Sequence, residues 1–213
     1  MRVFWFSLAC VVLFLGCTNK KKDAIYNRPA IFWYQAIFRE ILFMNLETAD
    51  NYYSSLQSEH INSPLVPVAM LALGQAHLKK KEFVLAEYYF DEYIKRFGNP
   101  ENIDYLKFLK LQARYYAFKN HSKDQEFMSN TIGMLNEFVD KYPHSRFIDQ
   151  VEYMQVKFIL GQNELNRAIA NVYKKRHQKE GVKRYLGRVD EVLEKETHPK
   201  KSHMPWYVAM FNW

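Results

Sequence analysis

The feature that most constrains this chain is an alternation: stretches whose apolar residues recur at intervals of three and four, closed at intervals by turns that carry a proline. That interval gathers apolar side chains on one face of an α-helix. Leu106, Leu109, Ala113 and Tyr116 show it in one segment, and Val182, Leu186, Val189 and Leu193 in another. Strand-like alternation is nearly absent, so the expected fold is all-α with no β-sheet. Breakers at Asn62-Ser63-Pro64, Gly98-Asn99-Pro100, Tyr142-Pro143-His144-Ser145 and His198-Pro199 divide the chain into helical segments of about 12 to 18 residues. Each proline falls after one pair of segments, with a third segment expected in the last interval. Pairs punctuated this way point to a helical repeat array. An unrelated helical bundle would share the periodicity.

The second pair narrows the choice. With Gly74 at a small position of its first helix, Leu73 precedes it, Ala86 falls twelve residues later and Phe90 sixteen later. These offsets resemble the tetratricopeptide repeat, where Gly and Ala let two helices approach and a bulky residue fills the groove beside them. Ala49 and Tyr53 repeat part of the spacing in the first pair, and Thr131, Leu135, Phe138 and Pro143 carry the end of a third. The intervals between terminating prolines grow from 36 to 43 to 56 residues, so the array is irregular. The expected architecture is a tetratricopeptide-like α-solenoid over residues 29–199, about four helix pairs with insertions.

Ahead of it, residues 1–16 have the form of a secretory signal peptide: Arg2, then an apolar run from Val3 to Gly16, shorter than the roughly 20 residues that span a bilayer as a helix. The sequence Phe14-Leu15-Gly16-Cys17 resembles the lipobox of bacterial lipoproteins, with Phe14 where Leu is usual. That resemblance implies that Cys17 is lipidated and becomes the new amino terminus. Two or three acyl chains anchor stably where one does not. Cys10 lies in the segment to be removed and Cys17 is the only other cysteine, leaving no thiol for a disulfide, a zinc site or a nucleophile. A retained signal anchor, or a buried N-terminal helix with an incidental cysteine, is the competing reading. Residues 17–28 are expected to be a polar linker. In such lipoproteins an Asp directly after the cysteine retains the protein in the inner membrane; Thr18 stands there, which implies the outer membrane.

Two longer stretches resemble the BamD (ComL) family, lipoproteins of the outer-membrane β-barrel assembly machinery. Leu85 to Tyr116 is similar to that family's second-to-third repeat and contains its Asn-Ile-Asp-Tyr turn as Asn102, Ile103, Asp104 and Tyr105. In the stretch that starts at Leu135, Tyr142, Pro143 and Ser145 match the family's Tyr-Pro-Asn-Ser turn, with His144 replacing Asn. The resemblance covers about Cys17 to Leu193. It implies a scaffold on the periplasmic face of the outer membrane. Its partners would be the barrel-inserting outer-membrane subunit (BamA-like) and unfolded outer-membrane protein precursors. The family's Arg-Val-acidic contact sequence is matched by Arg188, Val189 and Asp190, which makes Arg188 and Asp190 the expected partner-binding residues. An arginine can grip a carboxylate with two prongs where a lysine cannot; a solvated surface charge is the plainer account of the same residue. Tyr34, Phe38, Tyr52, Tyr53, Tyr88 and Tyr89 are candidates for a groove that takes aromatic-ended precursor strands, though helical spacing assigns most of them to the core.

The chain departs from the family after Pro199, where a further helix pair is usual. Residues 200–213 form an apolar tail with Trp206, Tyr207, Met210, Phe211 and Trp213. Such a segment either folds back as a cap on the last helix or serves as an anchor for a partner.

No catalysis, cofactor or metal is expected. A Gly-rich phosphate loop, a Gly-x-Ser-x-Gly elbow, a His-Glu-x-x-His pair and a Cys-x-x-Cys motif are all missing. His77, like the other histidines, is read as a packed or surface residue. The formal charge of +7 permits a nucleic-acid partner, but the clusters Lys79 to Lys81 and Lys174 to Arg176 are short and separated, so none is expected. Two other functions remain open on sequence: a tetratricopeptide lipoprotein of another envelope machine, such as a secretin pilotin, and a lipid-anchored peptidoglycan hydrolase.

Overall fold

The computed structural model describes residues 26–121 and 123–196. Cys17 and the segment 200–213 lie outside the described residues. Eight α-helices and no strand occur among the described residues: α1 (Ala30–Leu42), α2 (Leu46–Glu59), α3 (Leu65–Lys80), α4 (Phe83–Phe97), α5 (Ile103–His121), α6 (Gln125–Lys141), α7 (Ile148–Lys175) and α8 (Lys179–Glu196). The all-helical array expected from the periodicity is therefore what forms, as four successive pairs. Each helix packs on the next in sequence, and α1 also packs on α3, as α5 does on α7. First helices stack in this way between the first and second pairs and between the third and fourth.

The proline turns start helices for a local reason. Pro29 and Pro64 stand immediately before α1 and α3 with φ of −55° and −64°, close to the helical value that proline fixes, and proline has no N–H to leave unsatisfied there. At α5 the work falls to asparagine: Asn99 Oδ1 accepts hydrogen bonds from the backbone N–H groups of Glu101 and Asn102, each 3.1 Å long. The turns inside pairs use another device. Met44, Lys81 and His177, in the α1–α2, α3–α4 and α7–α8 turns, have φ of 58°, 67° and 56°, left-handed conformations without a glycine.

Burial forms two clusters that meet at α4. One joins Trp33, Ile37, Leu56, Met70 and Leu73 with Tyr89; the other joins Phe108, Leu111, Met128, Phe138 and Phe158 with Ala86 and Phe90. Gly74 faces this junction. A Cβ added to it would lie 2.7 Å from Phe90 Cε1 and 3.2 Å from Tyr89 Cβ, so the hydrogen side chain is what lets α3 and α4 approach.

Two expectations about segmentation are corrected. The last interval holds two helices, without a third segment, and α7 runs unbroken for 28 residues, beyond the expected length. Gly161 does not break it, because that glycine serves close packing: an added Cβ would collide with the ring of Phe118. Tyr116 and Leu186, assigned to apolar faces by their spacing, are largely exposed. Tyr116 keeps a ring contact with Phe83 of α4 at 6.3 Å, and Leu186 lines a cleft with Ala170 of α7.

Candidate partner-binding surface

The two turn motifs, 41 residues apart in sequence, meet in space. Ser145 donates from Oγ to Asp104 Oδ2 at 2.8 Å, and Asp104 Oδ1 accepts from the Tyr105 backbone N–H at 2.7 Å. Phe147 stacks on Phe108 with ring centres 4.4 Å apart and on Tyr105 at 5.6 Å. Tyr105 reaches back to the preceding pair, its hydroxyl accepting from Gln75 Nε2 at 3.0 Å. Asn102 is held by Asn99, its Oδ1 accepting from the Asn99 N–H at 3.1 Å. Ile103 opens α5, and the Tyr142 ring lies under the Lys107 ammonium at 5.6 Å. Pro143 is exposed. The motif residues thus form a clamp between successive pairs.

A second clamp had no signature in the sequence. Along one face of α5, Lys110 donates to Asp91 at 2.6 Å, and Arg114 donates to Glu87 at 2.8 Å and to Thr131 at 2.9 Å. Lys107 and Lys141 both donate to Glu137 at 2.9 Å, which hold its carboxyl down at about 2. The positions 107, 110 and 114 share a helical face, but their acidic partners lie on α4 and α6. Only the fold brings them together.

At the N-terminal end, the six candidate aromatics do not form one open groove. Tyr53 and Tyr89 are core, edge to face at 5.7 Å, and burial pushes the Tyr53 hydroxyl up to about 12. Tyr52 packs on Trp33 at 5.9 Å. Tyr34 and Phe38 lie ring to ring at 4.5 Å, half-buried on α1, and Tyr88 alone of the six is exposed. Beneath them sits His77, 1% exposed. Its Nε2 is 3.0 Å from Asp50 Oδ1 and its Nδ1 is 2.7 Å from Glu82 Oε2. The Tyr89 ring stacks on it, and the Tyr89 hydroxyl donates to Asp50 at 2.7 Å.

At the other end, Arg188 is exposed on α8. Its guanidinium lies over the Tyr185 ring at 4.9 Å, and Tyr185 stacks on Tyr173 of α7 at 5.6 Å. Arg188 makes no ion pair among the described residues. It lines a polar groove of about 450 Å³ with Gln125, Glu126 and Ser129 of α6 and with Gln162 and Asn166 of α7. An aromatic shelf of this kind presents the guanidinium without neutralising it. Asp190 lies two positions on in the same helix, with its side chain outside the described residues.

No described helix is long and apolar enough to cross a membrane. A family model described as outer membrane lipoprotein (YfiO) matches residues 28–201. The chain is also 76% identical over 208 residues to a Helicobacter pylori protein named outer membrane protein assembly factor BamD, an alignment that covers 97% of this chain and 94% of that protein.

Proposed function

Because the chain belongs to the family of outer membrane lipoproteins that includes the assembly factor BamD, we propose that it is an outer-membrane scaffold for the assembly of β-barrel proteins, with no bond-breaking step of its own. In this reading Cys17 carries the lipid anchor and the array sits on the periplasmic face. The α7–α8 pair docks the barrel-inserting subunit (BamA-like), and the N-terminal pairs receive unfolded precursors. The observation that carries the reading is near-full-length identity to a protein bearing the assembly-factor name. The geometry is in keeping with it. A stack of pairs offers extended surface, and Arg188 stands solvent-exposed with no carboxylate of the described chain engaged on it.

Affinity capture from detergent-solubilised membranes is the test. Recovery of the barrel-inserting subunit is expected; recovery of a secretin without it would assign the pilotin role instead. Arg188→Glu is expected to lower capture of the inserting subunit roughly tenfold or more, as loss of a well-placed interface arginine does, with helical circular dichroism unchanged. Undiminished capture would remove Arg188 from the interface. Cys17→Ser should leave the chain unprocessed at the inner membrane, and normal outer-membrane fractionation would contradict the anchor.

A further inference from the structure

Stacking covers each pair on the side that faces the next, and α7–α8 is the last pair among the described residues. Both of its helices leave apolar side chains exposed. Val156 and Leu160, one turn apart on α7, are 48% and 52% exposed, and Leu186 on α8 is 44% exposed. Between the two helices, Ala170, Val182 and Leu186 line an open cleft of about 520 Å³ together with Lys174, Lys179 and Lys183. Leu160 also lines a groove with Phe118 and Lys123. Single exposed apolar residues are ordinary, whereas several on one terminal pair mark a surface that a further apolar segment can cover. Arg188, two residues from Leu186 and so about 200° away around the helix, opens toward α6 on the other side.

The same chain carries a segment with matching chemistry. Every residue from Trp206 to Trp213 except Asn212 is apolar or aromatic. The stack of Tyr173 on Tyr185 and the groove shared by Arg188 with Gln162 and Asn166 show that α8 runs back along α7. Glu196 lies ~12 Å beyond Arg188 along the helix, which brings it level with the stretch around Val156 and Leu160. From there, the nine residues 197–205 can span at most ~30 Å. The rise from Glu196 back to Leu186 is ~15 Å. A segment joined to this surface through a connection long enough to reach it meets it at a higher effective concentration than a separate molecule does, which favours this segment over a second copy or an outside protein.

We infer that Trp206–Trp213 pack on the α7–α8 seam formed by Val156, Leu160, Val182 and Leu186, in the place a fifth pair would take, and close the array while leaving Arg188 open. This contact does not depend on which partner the scaffold serves.

Photo-crosslinking in intact membranes tests it, with benzoylphenylalanine replacing Trp206 or Phe211 in the full chain. Adducts within the chain are expected, on peptides containing Val156–Leu160 and Val182–Leu186. They should fall at least tenfold in the Leu160→Asp, Leu186→Asp double variant, whose substitutions lie at exposed positions and whose circular dichroism should match the parent. If that variant loses helix, Leu160→Gln with Leu186→Gln carries the same test without added charge. Adducts to a second copy, to another protein or to lipid, no adducts within the chain, or adducts that survive both double variants would each overturn the inference.

Discussion

His77 holds two carboxylates at once, and this fixes its protonation. A neutral imidazole has one N–H and could donate to Asp50 or to Glu82, not to both. Burial works to lower the affinity of His77 for its second proton; the hydrogen bonds from Asp50 and Glu82 outweigh it, and the balance lies above the ordinary value of 6.5. The folded state therefore binds a proton that the unfolded state releases first as pH rises. Its contribution to stability is fully present below pH 6.5 and is lost as pH climbs through the raised folded value. Urea unfolding at about pH 6 and about pH 8.5 should show the parent losing stability across that window and His77→Gln staying flatter. At the lower pH the substitution is expected to cost about 1–3 kcal/mol, the range for stranding buried hydrogen-bonding groups. Equal pH slopes would refute the assignment. The sequence leaves open whether His77 is a packed or a surface residue and is silent about its charge, because Asp50 and Glu82 reach it from outside its own helix and no local spacing announces them.

At the scale of the element, what was legible is what glycine, alanine and proline encode by position. The offsets from Gly74 to Ala86 and Phe90 mark the contact between α3 and α4, since only a residue without a side chain fits where Phe90 lies 2.7 Å from an added Cβ. Gly74→Val is expected to lower stability by about 1–3 kcal/mol through overpacking. Gly133→Ala, on α6 with nothing within 4 Å of the added carbon, should instead raise it by about 0.5–1 kcal/mol through helix propensity. Urea midpoints for the two variants check both signs, and an unchanged midpoint for Gly74→Val would show that Phe90 yields without cost. Proline and asparagine turns between pairs were legible for the same reason. The turns within pairs were not, because Met44, Lys81 and His177 take left-handed conformations that their identities do not advertise. Nor does any residue type announce the unbroken course of α7 past Gly161, where an added Cβ would meet the Phe118 ring.

For the whole molecule, the periodicity disclosed the class of fold, while the distribution of stability along it depends on which cores share a wall. Helix α4 lends Tyr89 to one cluster and Ala86 and Phe90 to the other, so opening it exposes both. Helix α8 is the opposite case: it packs principally on α7, and Val189 is its one buried side chain among those described. In an array where each unit leans on its neighbours, the terminal unit opens at lower free energy than the centre. Native-state hydrogen exchange should therefore rank the backbone amides of α4 slowest and those of α8 fastest among the eight helices, with α7 graded from slow near Phe158 to fast near Lys175. The gradient follows from burial: Phe158 is buried in the larger core, whereas residues 171–175 of α7 are exposed or half-buried. Exchange of α8 as slow as that of α4 would contradict this ordering and show that the last pair is held by far more than the described contacts supply. The same gradient sets the face that carries Arg188 on the part of the array with the least internal restraint, so a partner that grips it should slow α8 more than any other helix.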